Sequence, residues 1–239
     1  MSSSKDRKSE LESRLGPEIA GVYCHLYDSL VFTKLEWRIF SEWYRASGER
    51  IEVLNLVSGV TALIIQRSIF EGVILKICRM TDVHRSGRNV NASIAGLSSL
   101  PSAADDKKLG VLVGNAISTA AIARKWRNKK LAHTDQAELR NPSPDLRVTY
   151  EKIDACLTAL DEALAHFASV YLDTSVIFDS SSSNSSDEVF FLKCLKLGYD
   201  YHRESVGEAR RLALAGEREK SRLLIKSLYW SEERTYHRF

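Results

Sequence analysis

The sequence has few cysteines, and their spacing pairs none of them. Four occur among 239 residues, at Cys24, Cys78, Cys156 and Cys194, with long intervals between them. Zinc sites and disulfide frameworks use cysteines at short, recurring spacings. The scattered thiols therefore argue against both kinds of site, and they are typical of a protein from the reducing cytoplasm.

Several other signals are also missing. The first ten residues are polar and have no apolar core, which argues against a signal peptide. No apolar run approaches the roughly 18 residues of a membrane span. The chain has no alternating strand pattern of useful length, no internal repeat and no glycine-rich phosphate loop. We therefore expect a cytoplasmic protein with no membrane contact, no cofactor and an all-α fold.

The chain does contain helical periodicity. Apolar residues recur at three- and four-residue steps in four long segments. The first begins at Pro17, the second runs from about Glu49 to Arg79, the third from about Ala104 to Leu131, and the fourth from Tyr150 to Leu172. Four long helices with short connections predict an antiparallel bundle, with further helices at the C-terminus.

The serine tract at 180–186 is the one low-complexity segment, and it divides the predicted domains. We expect a flexible N-terminus at 1–15, a helical bundle at 16–178, a serine-rich linker at 179–187 and a C-terminal helical segment at 188–239. The alternating charges of the last segment indicate a solvated helix face rather than an RNA patch.

Acidic residues are absent from one long stretch. No Asp or Glu occurs between Lys107 and Thr134, although seven basic residues do. The net charge of the whole chain is only +3, so the prediction that it binds nucleic acid rests on this local excess of positive charge. Such an excess is typical of a surface that binds a polyanion. The basic residues are Lys107, Lys108, Arg124, Lys125, Arg127, Lys129 and Lys130.

Arg127 interrupts an otherwise apolar helix face. A buried charge must be paired or must meet a ligand, so a structural salt bridge and a functional role both remain open. His133 follows six residues later, about 240° around a straight helix. The two side chains then meet only if the helix ends or bends, or if a second copy of the chain contributes one of them. For the second case we expect a two-fold dimer that joins the alanine-rich seam of this face in both copies. The face that carries Arg127 comprises Leu109, Leu112, Val113, Ala116, Ala120, Ala123, Arg127 and Leu131.

The stretch from Arg127 to His133 reads Arg-Asn-Lys-Lys-Leu-Ala-His. It resembles the signature of the HEPN superfamily, in which a polar residue and a short spacer separate an arginine from a histidine. Three further segments, at 27–31, 78–82 and 91–94, resemble the AbiU-like branch, which is associated with abortive infection in bacteria. The resemblance covers about residues 15–175, and it implies a HEPN-type helical bundle.

The resemblance also implies an activity, because HEPN proteins include metal-independent ribonucleases that work as dimers. By analogy Arg127 would hold the scissile phosphate, His133 would move a proton and Asn128 would orient a neighbouring group or the substrate. Arginine is suited to phosphate and histidine to proton transfer near neutral pH. No metal is implied. The predicted RNA contacts are Lys129, Lys130, Arg124 and Lys125.

Other interpretations remain open at this point. One is a HEPN-like dimer that binds RNA or a nucleotide without cleaving it, or that acts with an antitoxin or another defence partner. Another is an adaptor that docks a protein through its C-terminal helices. We interpret Asp82 as a cap or turn residue, with pairing to a basic residue as the alternative. His84 is expected to be a solvated loop residue, and His166 a polar-face residue.

Overall fold

The computed structural model describes residues 4–132, 147–176 and 187–228, and these residues form an all-α fold with one minimal hairpin. This confirms the predicted fold class. The elements are α1 Ser4–Leu15, α2 Pro17–Tyr44, α3 Gly48–Thr81, β1 Arg85–Ser86, β2 Asn89–Val90, two 3₁₀ turns at Ile94–Ser99 and Pro101–Ala103, α4 Lys107–Thr119, α5 Ala121–Trp126, a π-helical turn at Arg127–Ala132, α6 Tyr150–Tyr171, α7 Asp187–Leu214 and α8 Arg218–Leu228.

The chain divides into two compact units. The bundle unit comprises Met1–Ser41 and Ile65–Ser183, and the C-terminal unit comprises Glu42–Ile64 and Asn184–Phe239. This grouping differs from the predicted division, which placed residues 42–64 in the bundle, because helical periodicity does not reveal which long-range partner a helix segment has. The predicted serine-rich linker lies outside the described residues except for Asp187, which begins α7.

The N-terminus also differs from the expectation of a flexible segment. Residues from Ser4 onward form α1, whose last residue, Leu15, is buried. Arg14 donates from Nη1 to the carbonyl oxygen of Leu172 at 2.7 Å. Gly16 then takes a left-handed conformation with φ of 76°, which lets the chain turn sharply before Pro17 opens α2.

The core of the bundle unit is built from the predicted apolar stripes. The stripe on α6 is fully buried at Ile153, Leu160, Leu164 and Phe167, and α6 packs against α4. The ring of Phe167 lies 5.6 Å from Tyr23 and 4.9 Å from Tyr171, between centroids. Such aromatic contacts add to the free energy gained by removing the rings from water.

A polar cluster joins the start of α4 to the end of α6. Asp106 caps α4 by accepting the backbone N–H of Leu109 on Oδ1 at 2.9 Å. Its Oδ2 accepts the hydroxyl of Tyr171 at 2.9 Å and lies 3.0 Å from Nε2 of His166. The expectation that His166 is a polar-face residue is therefore wrong, because its side chain is only 13% exposed and Asp106 satisfies it.

The cluster shifts the pKa values of two of its side chains, Asp106 and Tyr171. The N–H of Leu109, with help from His166 and Tyr171, lowers the pKa of Asp106 to about 2. Burial, followed by the hydrogen bond to the Asp106 carboxylate, raises the pKa of Tyr171 to about 12. Since the carboxylate titrates lower in the folded chain than in the unfolded chain, its contribution to stability is present above about pH 4 and is lost as the pH falls towards 2.

Replacing Asp106 with alanine is expected to lower the melting temperature at neutral pH by a few degrees, because α4 loses its cap and α6 loses a shared acceptor. Melting curves followed by circular dichroism between pH 7 and pH 2 test this expectation. The difference in melting temperature between wild type and Asp106→Ala should become smaller below pH 4. Asp105→Ala, at the exposed neighbouring position, is the control and should melt like wild type. A difference in melting temperature that stays constant down to pH 2 would contradict the stabilising role of the Asp106 carboxylate.

The C-terminal unit contains its own buried contacts. Trp43 donates from Nε1 to the carbonyl oxygen of Glu188 at 3.2 Å, and its ring stacks on Phe191 at 5.1 Å. The helices α7 and α8 pack together. Gly216, with φ of 86°, allows the turn between them, because Glu217 N–H can then reach back to the carbonyl oxygen of Leu212 at 2.9 Å.

Among the described residues, helix α3 is long and apolar enough to cross a membrane, by length and composition only; an 18-residue stretch of it has a mean hydropathy of 1.5, and 11% of that stretch is buried. The prediction from the sequence concerned uninterrupted apolar runs, and polar residues interrupt the apolar sequence of α3. Its backbone is non-helical at Ser58, with φ of −168° and ψ of 97°. Several apolar side chains in its first half are exposed: Leu56, Val57, Val60, Leu63 and Ile64.

Candidate functional site

The basic stretch from Lys107 to Lys130 forms three consecutive helical segments, α4, α5 and the π turn. The single long helix predicted here is interrupted at Ala120, where ψ is −4°. The π turn at Arg127–Ala132 carries the first six residues of the predicted motif, and π-helical turns are rare features that occur often at functional sites. The chain therefore changes its helical geometry at Arg127 itself.

The apolar face of this stretch is confirmed, but its predicted use is wrong. Ala116, Ala120 and Ala123 are fully buried within the bundle unit. We expected these alanines to form a seam between two copies of the chain. The monomer already covers them with its own residues, so a dimer contact must use a different surface.

Arg127 stands at the edge of this buried face. Its Nε donates to Oδ1 of Asn128 at 3.2 Å, and its Nη1 lies 3.5 Å from Oδ1 of Asp82. The Arg127 side chain is 26% exposed and that of Asp82 is 33% exposed. The preferred interpretation of Asp82 as a cap or turn residue is therefore corrected to the alternative, a partner of the motif arginine. At 3.5 Å the pair is long for a hydrogen bond, so it restrains Arg127 only loosely.

Arg124 differs sharply from Arg127, although both belong to the same basic cluster. Its Nη1 donates to the hydroxyl of Thr81 at 2.8 Å and to the carbonyl oxygen of Thr81 at 3.3 Å, and its Nη2 donates to the carbonyl oxygen of Ile117. Thr81 is 2% exposed. This guanidinium links α5 to the end of α3. The N–H groups that make these bonds are not free for the predicted contact of Arg124 with RNA.

The buried thiol of Cys78 shares this electrostatic environment. Burial raises the pKa of Cys78, the charge of Arg127 acts in the opposite direction, and the charge of Asp82 adds to the rise. Cys78 is fully buried, so it remains a neutral thiol and is no nucleophile at neutral pH. Burial likewise raises the pKa of Cys156 to about 11. Sequence reasoning gave Cys78 no place near the motif beyond its membership in the 78–82 segment.

A family model described as AbiU2, of the HEPN type, matches residues 17–192. The chain belongs to the HEPN AbiU2 family. The match starts at the first residue of α2 and ends within α7. No curated protein matches the chain. No solved structure matches it either.

The other site residues predicted from the sequence are placed only in part. Asn128, Lys129 and Lys130 are exposed on the π turn, and Lys125 is exposed on α5. Their predicted contacts with RNA stay predictions. His133, the predicted proton-transfer residue, lies outside the described residues, so the structure gives no distance between it and Arg127.

His84 was expected to be a solvated loop residue of this AbiU2-family chain, and the structure corrects this. Its Nδ1 lies 3.1 Å from the carbonyl oxygen of Asn91, and the ring packs closely on Gly96. A Cβ atom at Gly96 would approach Nδ1 to 2.8 Å, so a larger residue there would force the His84 ring to shift. His84 thus holds the loop between α3 and α4. Within residues 4–132, 147–176 and 187–228, no three His, Cys, Asp or Glu side chains group as a metal site requires.

Proposed function

We propose that this chain is a metal-independent endoribonuclease of HEPN type that acts in the cytoplasm as a toxin or phage-defence effector. Arg127 would bind the scissile phosphate, His133 would move a proton, and Asn128 would orient Arg127. The site would lie at the interface of a homodimer, on a surface other than the buried alanine face. Membership in the AbiU2 family supports this proposal in general terms, through the ribonuclease and abortive-infection roles that HEPN domains suggest.

The observation that carries the proposal is the contrast between the two arginines. Arg124 donates three hydrogen bonds to protein acceptors, whereas Arg127 is partly exposed and contacts Asn128 and Asp82 at 3.2 and 3.5 Å. An arginine has five N–H donors in a planar fork. Those two contacts occupy two of them, which leaves donors for phosphate oxygens.

The proposed reaction needs little covalent chemistry from the protein. The 2′-hydroxyl of RNA attacks the adjacent phosphorus, the bond from phosphorus to the 5′-oxygen breaks, and the products are a 2′,3′-cyclic phosphate and a 5′-hydroxyl. One proton leaves the 2′-oxygen and one reaches the departing 5′-oxygen. Histidine suits either transfer, and a guanidinium stabilises the charge that develops on the phosphoryl oxygens. Exposed Lys125, Lys129 and Lys130 would contact the RNA backbone.

A second candidate is a module that binds RNA, or an antitoxin or other defence partner, without cleavage. Its supporting observation is the ion pair between Asp82 and Arg127, since a partly buried pair of this kind also occurs in purely structural settings. Fold and family do not by themselves establish turnover. An adaptor function of the C-terminal helices is the remaining alternative, and exposed Phe190 and Leu197 on α7 would serve it.

Purified protein is expected to cleave RNA in the presence of EDTA and to leave 2′,3′-cyclic phosphate ends, detected by mass spectrometry of the fragments. His133→Ala should abolish the cleavage. His25→Ala is the matched control, because His25 is exposed on α2 away from the motif sequence. Cleavage that EDTA stops and added metal restores would refute the mechanism. Binding of RNA without any cleavage would favour the second candidate.

A further inference from the structure

We infer that Asp82 is a positioning residue, which holds the guanidinium of Arg127 in the orientation that a phosphate of the RNA meets. This inference rests on the proposed function and adds to it a group from a different helix. Asp82 lies 45 positions before Arg127 in the sequence, directly after α3.

The backbone at Asp82 is well anchored. It follows Met80 and Thr81, which are 1% and 2% exposed. The hydroxyl of Thr81 donates to the carbonyl oxygen of Ile77 at 2.8 Å. The same hydroxyl accepts a hydrogen bond from Nη1 of Arg124. The carboxylate of Asp82 thus projects from a buried helix end that is already tied to α5. Such support is what a residue needs if it is to orient a neighbour.

Asp82 and Asn128 restrain the guanidinium from two sides. Oδ1 of Asn128 accepts a hydrogen bond from Nε of Arg127 at 3.2 Å, and Oδ1 of Asp82 lies 3.5 Å from Nη1 of Arg127. In the described part of the chain these two side chains are the polar contacts of Arg127. Together they favour one orientation of the fork and leave the hydrogens of Nη2, and one of Nη1, for phosphate oxygens. Bidentate recognition of phosphate uses a pair of donors of this kind.

The carboxylate should have opposite effects on binding and on rate. A negative charge beside Arg127 weakens the attraction of the site for RNA. The same charge keeps the fork in the productive orientation, and small errors in orientation lower the rate strongly. Removing the charge should therefore tighten binding while it slows cleavage. A residue with only a structural role would not separate KM from kcat in this way.

The test compares wild type, Asp82→Asn, Asp82→Glu and Asp105→Asn by steady-state cleavage of one RNA substrate. Asp82→Asn should lower kcat about 10-fold or more and also lower KM. Asp82→Glu keeps a carboxylate and should recover most of kcat. Asp105→Asn removes an exposed charge elsewhere in the bundle unit and should leave kcat unchanged. Melting temperatures of all four should agree closely, because the bonds from Arg124 to Thr81 persist.

The pairing itself is tested with Arg127→Ala. In that background Asp82→Asn should have little further effect on kcat, because the group that it orients is gone. An equal loss of kcat with and without Arg127 would overturn the inference. So would a fall in melting temperature together with parallel losses of kcat and kcat/KM.

A wild-type protein that never cleaves RNA would refute the proposed function, and the role of Asp82 would then be tested by binding alone. RNA binding would be measured against salt concentration. Asp82→Asn should tighten binding and steepen its salt dependence, by up to about one phosphate contact, only when Arg127 is present. Unchanged binding, or the same change in the Arg127→Ala background, would overturn the inference separately.

Discussion

Replacing Arg127 with alanine is expected to reduce the rate of RNA cleavage by at least about 10²–10³-fold, because the charge that develops on the phosphoryl oxygens loses its donor. Fold stability should hardly change, since the guanidinium contacts only Asn128 and Asp82 among the described residues and both contacts are long. Cleavage of a labelled RNA and thermal melting measure the two effects on the same preparation.

Two further variants sharpen this prediction. Arg127→Lys keeps the charge but not the planar fork, so it should remain well below wild type. Arg203→Ala is the control, because Arg203 is 68% exposed on α7. Arg124→Ala should behave differently from Arg127→Ala and lower the melting temperature, since it leaves acceptors at the end of α3 unpaired. Full activity in Arg127→Ala would exclude Arg127 from the chemistry.

The same variant tests whether the site is shared between two copies. Arg127→Ala and His133→Ala homodimers should each show only residual cleavage. If Arg127 of one chain acts with His133 of the other, a mixed dimer contains one site with both defects and one site with neither. Mixing should then restore substantial cleavage once subunit exchange is confirmed. No recovery would place both residues in a single chain, and a strictly monomeric protein in light scattering would rule out the dimer.

The largest expected effect on stability follows replacement of Phe167 with alanine. This ring is fully buried and contacts Tyr23 and Tyr171. Its loss is expected to cost about 3–5 kcal/mol in the free energy of unfolding, because apolar burial is lost and a cavity remains. Urea unfolding followed by fluorescence measures this change.

Val170→Ala is the matched control for Phe167→Ala, because Val170 lies on the same helix and is 54% exposed. Its effect should stay within about 0.5 kcal/mol. Phe167→Leu should fall between the two, since leucine fills part of the volume. A loss below about 1 kcal/mol for Phe167→Ala would mean that α6 does not carry the core as its burial indicates.

The sequence predicted the parts of the fold that local periodicity determines. The stripe of Ile153, Leu160 and Phe167 identified both α6 and its buried face, and Pro17 marked the first residue of α2. Periodicity carries no information on hydrogen-bond register or on tertiary grouping. The π turn, the non-helical Ser58 and the assignment of residues 42–64 to the C-terminal unit were therefore missed.

The candidate site was predicted unevenly for the same reason. Arg127 was selected because a charge interrupted an apolar face and because the motif resembled a known family, and its functional role stays a prediction. The different contacts of Arg124 and Arg127 were not predicted, since they involve Thr81 and Asp82, more than 40 positions earlier. His166 was likewise misjudged, because its partner Asp106 lies 60 positions away.

The π turn at Arg127–Ala132 has a consequence for insertions and deletions. In an α-helix each backbone N–H reaches the carbonyl four residues earlier, whereas in a π turn it reaches the fifth. The turn thus contains one residue more than an α-helical turn requires. Deleting a residue there would let the turn close as an α-helix and would rotate the following chain by about 100° about the helix axis. Each residue added to or removed from the turn therefore changes the direction of the chain after Ala132 by a large step.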